Sequence, residues 1–88
     1  DVADIWVSGT KGYHGHALGA SGAIEAVICM LSLKDGWLPP TVNLETPDAA
    51  CVVRHVPTGG VSATPPVVMS NSFGFGGINA SLVFRTPE

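Results

Sequence analysis

Positive charge is scarce in this sequence. Of its 88 residues only four are lysine or arginine, and the formal net charge at neutral pH is −3. The four cations are scattered along the chain: Lys11, Lys34, Arg54 and Arg85. Binding to a nucleic-acid backbone needs clustered basic side chains, because that binding depends on neutralising phosphates. Nucleic acid is therefore excluded as a partner.

Cysteine is also rare, with Cys29 in an apolar stretch, Cys51 in the turn-rich connection that follows it, and no CxxC pair. Such spacing builds neither a disulfide framework nor a zinc site. Two reduced thiols used as small hydrophobic side chains fit the pattern best. A reducing compartment, and hence a cytoplasmic location, is expected.

A membrane-spanning run is missing as well. The most apolar stretch, from Ala17 to Lys34, is close to the minimum length for a span and has Glu25 at its centre, where a charge is costly in lipid. The first residues, Asp1 to Asp4, lack the basic start of a signal peptide. We therefore expect no membrane span and no secretory leader in this stretch.

What the sequence does contain is one strongly apolar helix. Hydrophobic residues make up 45% of the chain against 12% charged. Between Ala17 and Lys34 only Ser21, Glu25 and Ser32 interrupt the apolar side chains, so no polar face exists. A helix that is apolar all round is buried. Since so short a chain cannot cover it on every side, the sequence predicts a fragment of a larger protein.

The order of elements indicates an α/β fold. Gly36 and the following prolines predict the end of the helix. Apolar runs flanked by glycine, proline and polar turns predict the strands. The expected β-α-β-β arrangement is a mixed sheet with a buried central helix, its elements being a strand at about 4–9, a helix at 16–34 and strands at 52–56, 66–72 and 80–85.

Two polar segments concentrate the chemistry. The first carries Lys11, His14 and His16 among glycines, directly before the helix. The second runs from Asn71 to Asn79 and has three glycines in the four positions 74–77 around Phe75. Glycines let a backbone approach a ligand closely, and successive N–H groups in such a turn can bind an anion. From the residues alone this second segment is equally well read as a tight hairpin.

Three motifs in order resemble one enzyme family. They are Lys11 followed five residues later by the histidine of GHALGASGAIEA, then LPPTVNLETPD, then SNSFGFGGINASLVF. Together they resemble the C-terminal part of a β-ketoacyl-acyl carrier protein synthase, the elongating condensing enzyme with a Cys-His-His active site. The resemblance implies that residues 1–88 form the end of the C-terminal half of a thiolase-like fold.

The resemblance assigns roles on the malonyl side of the reaction. His16 matches the second histidine of the triad, which donates a hydrogen bond to the malonyl thioester oxygen as enolate charge develops. Lys11 matches the active-site lysine, and Glu25 matches the glutamate on the helix that partners it. A carboxylate in so apolar a helix needs a partner, since an unpaired buried charge is costly. The pair is expected to set the electrostatics around the histidines.

The resemblance also assigns the glycine loop. Phe75 matches the gating phenylalanine, whose backbone N–H contributes to the oxyanion hole. Gly74, Gly76 and Gly77 shape that loop, and Asn71 and Asn79 tie it down by side-chain hydrogen bonds. Two positions depart from the family pattern. Ile78 stands where many relatives have threonine, and His14 is an extra histidine expected to be structural or exposed.

The implied activity is a decarboxylative Claisen condensation in fatty acid or polyketide synthesis. Acyl and malonyl groups arrive on the phosphopantetheine of an acyl carrier protein, with no separate cofactor and no metal. Expected partners are that carrier protein, the remainder of the condensing domain and a second copy in a homodimer. The nucleophilic cysteine and first histidine lie in upstream motifs, so these 88 residues alone are expected to be inactive.

Other interpretations remain. A catalytically inactive relative acting as a chain-length or subunit-interface partner is the main alternative, and a cysteine in the upstream nucleophile motif would distinguish the two. A dinucleotide site is disfavoured because Gly15, Gly19 and Gly22 do not have GxGxxG spacing. A metal site at His14, His16 and His55 lacks a convincing further ligand.

Overall fold

The computed structural model describes residues 2–87. Its helices are a 3₁₀ turn at Val2–Asp4, α1 at Lys11–His14, a second 3₁₀ turn at Leu18–Ala20, and α2 at Ser21–Asp35. Its strands are β1 Trp6–Val7, β2 Trp37–Leu38, β3 Arg54–His55, β4 Val61–Ser62, β5 Val67–Phe73 and β6 Asn79–Arg85. The chain forms two compact units.

The first unit comprises the chain up to His16 together with Trp37–Ala63. In it β1 and β3 pair in parallel, and β2 and β4 pair antiparallel. The Arg54 guanidinium lies 3.9 Å from the centre of the Trp6 ring, its partner in the parallel register. Leu38 and Val56 are the buried apolar side chains among residues whose burial is described. This small core supports the loop that carries Lys11.

The second unit comprises Ala17–Gly36 and the chain from Thr64 onward. Here β5 and β6, with seven residues each, form an antiparallel hairpin that packs on α2. Burial alternates along β5, with Val68, Ser70 and Ser72 half-buried and the residues between them exposed. The Ser72 hydroxyl lies 3.8 Å from where a Cβ on Gly22 would be. The half-buried face of the hairpin is therefore the one against α2.

Helix α2 ends where the sequence predicts and begins later. Gly36 adopts the left-handed conformation at φ 65°, and its N–H donates to the Ser32 carbonyl at 3.0 Å. The predicted start at position 16 is wrong, because Leu18 has φ 53°, which a right-handed helix cannot include. A 3₁₀ turn occupies Leu18–Ala20 instead. His16 therefore lies outside the first turn of α2, where a helix dipole would act on it.

The expected burial of the helix on all sides is not met within its own unit. Ser21 and Ser32 are the buried residues of α2, while Val27, Met30 and Leu31 are each about half exposed. The β5–β6 hairpin covers one side of the helix, and the described part of the unit supplies no second layer. The half-exposed apolar side chains are suited to a covering surface beyond it.

The strands follow the predicted order with different extents. The stretch at 4–9 contains only Trp6–Val7 as strand, and the stretch at 52–56 contains only Arg54–His55. Strand β5 is shifted by one residue relative to the predicted 66–72, and β6 begins one residue before the predicted 80–85. Within residues 2–87 the parallel and antiparallel pairings occupy three separate two-stranded sheets, not one mixed sheet. Strands β2 and β4 have no counterpart in the sequence prediction.

Candidate active site

Helix α1 presents the first cluster of polar side chains. The Thr10 carbonyl accepts the N–H of Tyr13 at 3.0 Å, and the Lys11 carbonyl accepts the N–H of Gly15 at 2.7 Å. Gly15 ends this single turn with φ 84°, a conformation that favours glycine. Lys11, half-buried, begins the turn, and exposed His16 follows it. Both proposed catalytic side chains are thus carried by one short, hydrogen-bonded segment.

His14 is held by its own loop. Its Nδ1 lies 3.0 Å from the Gly15 carbonyl, and its Nε2 lies 2.9 Å from Thr10 Oγ1. Because a carbonyl only accepts, Nδ1 carries the proton, and in the neutral ring Nε2 then accepts from the Thr10 hydroxyl. Both ring nitrogens are engaged in stabilising α1. This arrangement fits the structural role expected of His14.

Glu25 lies on α2 and is half-buried. Lys11 belongs to the first unit and Glu25 to the second. The electrostatic pairing of these two residues stays a prediction. Within its own helix, Glu25 influences Cys29, which is one turn further along.

Neither cysteine has the setting of an activated nucleophile. Burial, reinforced by the negative charge of Glu25, raises the pKa of the Cys29 thiol. A raised pKa keeps the thiol protonated at neutral pH, whereas a nucleophile needs the thiolate. Cys51 is exposed in a turn, with its N–H donating to the Asp48 carbonyl at 2.9 Å.

The glycine loop between β5 and β6 is a tight turn. The Gly74 N–H donates to the Ile78 carbonyl at 2.6 Å, and the Gly77 N–H donates to the Gly74 carbonyl at 3.3 Å. Gly76 and Gly77 both have φ 85°, so the turn needs glycine at these two positions. Phe75 is fully exposed at the tip. Its backbone N–H donates no hydrogen bond within residues 2–87.

The two asparagines flank this loop on adjacent strands. Asn71 Oδ1 accepts a hydrogen bond from the Ser81 hydroxyl at 2.6 Å, and the two residues are opposite each other in the hairpin register. Asn79 begins β6 opposite Phe73. The Asn71 contact braces the hairpin close to the glycine loop. The anchoring of the glycine loop by Asn71 and Asn79 stays a prediction.

Metal ligands do not gather in the described part of the chain. No group of three or more His, Cys, Asp or Glu side chains that could hold an ion occurs there. His55, the third histidine, lies in β3 with a buried Nε2 that has no hydrogen-bond partner among these residues. Nor is any helix within residues 2–87 sufficiently long and apolar to cross a bilayer.

Sequence reasoning used LPPTVNLETPD as a family motif but missed that this segment supports the Lys11 loop. The Gly9 N–H donates to Thr41 Oγ1 at 3.0 Å, and the Ser8 hydroxyl donates to the Pro39 carbonyl at 2.6 Å. Asn43, with φ 66°, completes a turn closed by the Leu44 N–H to Thr41 carbonyl bond at 3.4 Å. The available signal was the Pro-Pro-Thr-Val-Asn run, in which rigid prolines precede a residue that tolerates the left-handed region.

Comparison with known proteins identifies the family of this chain. The family model for the β-ketoacyl synthase C-terminal domain matches residues 1–45. The chain therefore belongs to the β-ketoacyl synthase family, and its elements are part of a thiolase-like fold.

Named relatives agree with this assignment. The chain is 52% identical over 77 residues to 3-oxoacyl-[acyl-carrier-protein] synthase 2 of Coxiella burnetii, covering 88% of this chain and 19% of that protein. It is 46% identical over 82 residues to the protein of the same name from Synechocystis, covering 93% and 20%. A crystal structure of a β-ketoacyl synthase from Burkholderia phymatum superposes with a TM-score of 0.90 at 41% identity, covering 96% of this chain and 21% of that one. The chain spans about one fifth of the length of these relatives.

Proposed function

We propose that this chain is the malonyl-side segment of a 3-oxoacyl-[acyl-carrier-protein] synthase. The observation that carries the proposal is 52% identity to a synthase of that name over 77 of the 88 residues of this chain. The reaction is the condensation of an acyl thioester with malonyl carried on acyl carrier protein. The phosphopantetheine of that carrier protein bears the malonyl group and reaches the site from outside.

His16 is the residue that drives decarboxylation. When malonyl thioester loses CO2, the electron pair of the broken carbon–carbon bond moves onto the thioester oxygen as an enolate. An imidazole N–H aimed at that oxygen stabilises the developing charge more than the ground state. The exposure of His16 leaves its ring accessible to a substrate. Lys11, at the start of the same short segment, contributes a fixed positive charge that favours the enolate.

Phe75 serves the acyl side of the same reaction. The enolate carbon attacks the acyl carbonyl held on the cysteine sulfur, and the resulting tetrahedral oxyanion needs hydrogen-bond donors. The Phe75 N–H is at the tip of a glycine turn and donates to no described residue, so it is a suitable donor. Collapse of the tetrahedral species expels the cysteine thiolate and releases the 3-oxoacyl thioester. The exposed ring is free to move between gate positions.

Partners and location follow from this chemistry. The proposed synthase works with acyl carrier protein, forms a homodimer and acts in the cytoplasm on fatty acid or polyketide intermediates. The remainder of the condensing domain supplies the cysteine, the first histidine and the surface that covers α2. Two observations support a role for the remainder of the domain. The chain spans only about one fifth of its relatives' length, and apolar side chains of α2 are half exposed.

The test compares two histidines two residues apart. In the full-length synthase that carries this segment, His16→Ala should lower malonyl-carrier decarboxylation by about 100-fold or more, since one oxyanion donor is worth about that much. His14→Ala is the matched control: it removes a ring that hydrogen-bonds to Thr10 and Gly15 of its own loop, so it should lower the rate much less than His16→Ala does. The rate is measured as CO2 release. Full decarboxylation by His16→Ala would refute the proposal.

A further inference from the structure

The segment Pro39–Val42 lies directly against the loop that carries Lys11. It contacts this loop at three points, and all of them belong to the first unit. The Ser8 hydroxyl donates to the Pro39 carbonyl, the Gly9 N–H donates to Thr41 Oγ1, and Val42 meets Gly12. These contacts are on both sides of Lys11 along the chain. The loop is therefore held by a neighbouring segment as well as by its own short helix.

Thr41 is anchored to the core of its unit. Its N–H donates to the Val56 carbonyl at 3.4 Å, and the Val56 N–H donates to the Val7 carbonyl at 3.1 Å. Val56 is 2% exposed, the most buried apolar side chain described. A hydroxyl fixed in this way offers the Gly9 N–H an acceptor in a defined place. The position of Gly9, two residues before Lys11, is thereby tied to the buried strand region.

Val42 fixes the other side of Lys11. A Cβ placed on Gly12 would lie 3.2 Å from Val42 Cγ2 and 3.4 Å from the Val42 carbonyl oxygen. The first of these distances is shorter than ordinary van der Waals contact, so the absence of a side chain at Gly12 is what lets α1 approach. Gly12 does not have positive φ, and steric room is therefore the reason for glycine here. The approach holds the first turn of α1 against Val42.

We propose that Thr41 is a positioning residue for the catalytic loop, acting through its hydroxyl oxygen as the acceptor for the Gly9 N–H, with Val42 as the opposing wall. This inference rests on the proposed function, in which Lys11 and His16 act on the malonyl thioester. Thr41 touches no reacting atom. Its effect is to hold the backbone of Lys11 in place, and misplacement by about 1 Å can cost two orders of magnitude in rate.

The test uses two substitutions at Thr41 in the full-length synthase. Thr41→Val keeps the shape and removes the acceptor, so the Gly9 N–H loses its partner, whereas Thr41→Ser keeps the acceptor. Thr41→Val should lower the kcat for malonyl decarboxylation by about 10- to 100-fold. The Thr41→Ser variant should have a kcat close to that of the wild type. Thr58→Val, at an exposed loop threonine of the same unit, is the matched control and should change nothing.

A second readout separates positioning from general loss of structure. Transfer of the acyl group from carrier protein to the nucleophilic cysteine does not use Lys11 or His16 in the proposed mechanism. It should stay within about twofold of wild type in Thr41→Val, whereas a merely destabilised enzyme would lose both partial reactions. Amide hydrogen exchange at Gly9 should be faster in Thr41→Val and unchanged in Thr41→Ser.

A third variant covers the case in which Thr41→Val fails to fold. Gly12→Ala should push the loop away from Val42 and lower decarboxylation. Adding Val42→Ala removes the Cγ2 atom that the new methyl group meets and should recover part of the rate. A double variant no better than Gly12→Ala would count against the inference.

The outcomes distinguish the inference from the function on which it rests. If Lys11→Ala and His16→Ala lose decarboxylation while Thr41→Val keeps it, the positioning role is overturned and the proposed function stands. The same holds if Thr41→Ser is as damaging as Thr41→Val. If Lys11→Ala and His16→Ala both decarboxylate at the wild-type rate, the proposed function is overturned, and the inference with it.

Discussion

Two histidines in one short loop have different surroundings. His14 engages both ring nitrogens with Thr10 and Gly15. His16 is exposed just past the glycine that ends α1. The sequence separates them only through the family motif, since each is a histidine followed by a small residue. The two hydrogen bonds of His14 explain the structural role of that residue, which composition and spacing could not.

The backbone conformation of Leu18 is the one that sequence rules least predict. It has φ 53° although it is not glycine, and it is 78% exposed. The Ala20 N–H donates to the Ala17 carbonyl at 3.1 Å, which closes a four-residue turn. Leu18 is the first of its two central residues, and it has positive φ, whereas the second, Gly19, does not. In such a turn the first central position is usually taken by glycine. A left-handed backbone costs an ordinary residue about 1–2 kcal/mol.

This conformation predicts an unusual order of stabilities. Leu18→Gly and Leu18→Ala both remove the side chain, but only glycine relieves the backbone. The gain is partly offset by about 0.4–1 kcal/mol from the greater freedom of glycine in the unfolded chain. We expect Leu18→Gly to be more stable than Leu18→Ala by up to about 1.5 kcal/mol, measured by denaturant unfolding of the full-length protein. An alanine variant as stable as the glycine variant would contradict the strain.

At the scale of elements, the strength of the local signal decides what could be predicted. Helix α2 ends at Asp35, as Gly36 indicates, and the long strands β5 and β6 lie within about a residue of their predicted bounds. Strands β2 and β4 have two residues each, too few for any periodicity to show. The late start of α2 depends on Leu18, for which no sequence rule applies. The two-residue strand pairing of β2 with β4 and the strained turn at Leu18 could therefore not be predicted from the sequence.

The pairing of β2 with β4 depends on Gly60. Its φ is 74°, and a Cβ there would lie 2.5 Å from the Trp37 ring and 2.6 Å from the Leu38 carbonyl oxygen. We expect Gly60→Ala to destabilise the protein by more than about 1 kcal/mol through this overlap, in addition to backbone strain. The measurement is the thermal unfolding midpoint of the full-length protein.

Gly59 provides the matched control for this prediction. Its φ is 93°, yet nothing lies within 4 Å of where its Cβ would be. Gly59→Ala therefore carries the backbone strain alone, and the difference between the two variants isolates the collision with Trp37 and Leu38. Equal midpoints for the two variants would mean that the tight approach is not needed for the β2–β4 pairing.

At the scale of the whole molecule, the proposed function assigns to this chain part of a reaction and leaves the nucleophile to another segment. The residues matched to malonyl decarboxylation and to the glycine loop are present, while both cysteines are unsuited to attack. Burial raises the pKa of the Cys29 thiol, and Cys51 is in an exposed turn. Because the chain spans about one fifth of its relatives' length, the acyl-carrying residue is expected elsewhere in a full-length synthase.

Because the nucleophile is expected outside this chain, we predict that the 88 residues alone form no 3-oxoacyl thioester from acyl and malonyl carrier proteins. Condensation needs an acyl group on an activated thiolate, and a protonated Cys29 does not supply one. The apolar side chains left half exposed on α2 should also bind the dye ANS strongly. The control is the full-length synthase in the same assay, which should yield product and bind little dye. Mass spectrometry of the thioesters is the measurement, and product from the isolated chain would show that the nucleophile lies within it.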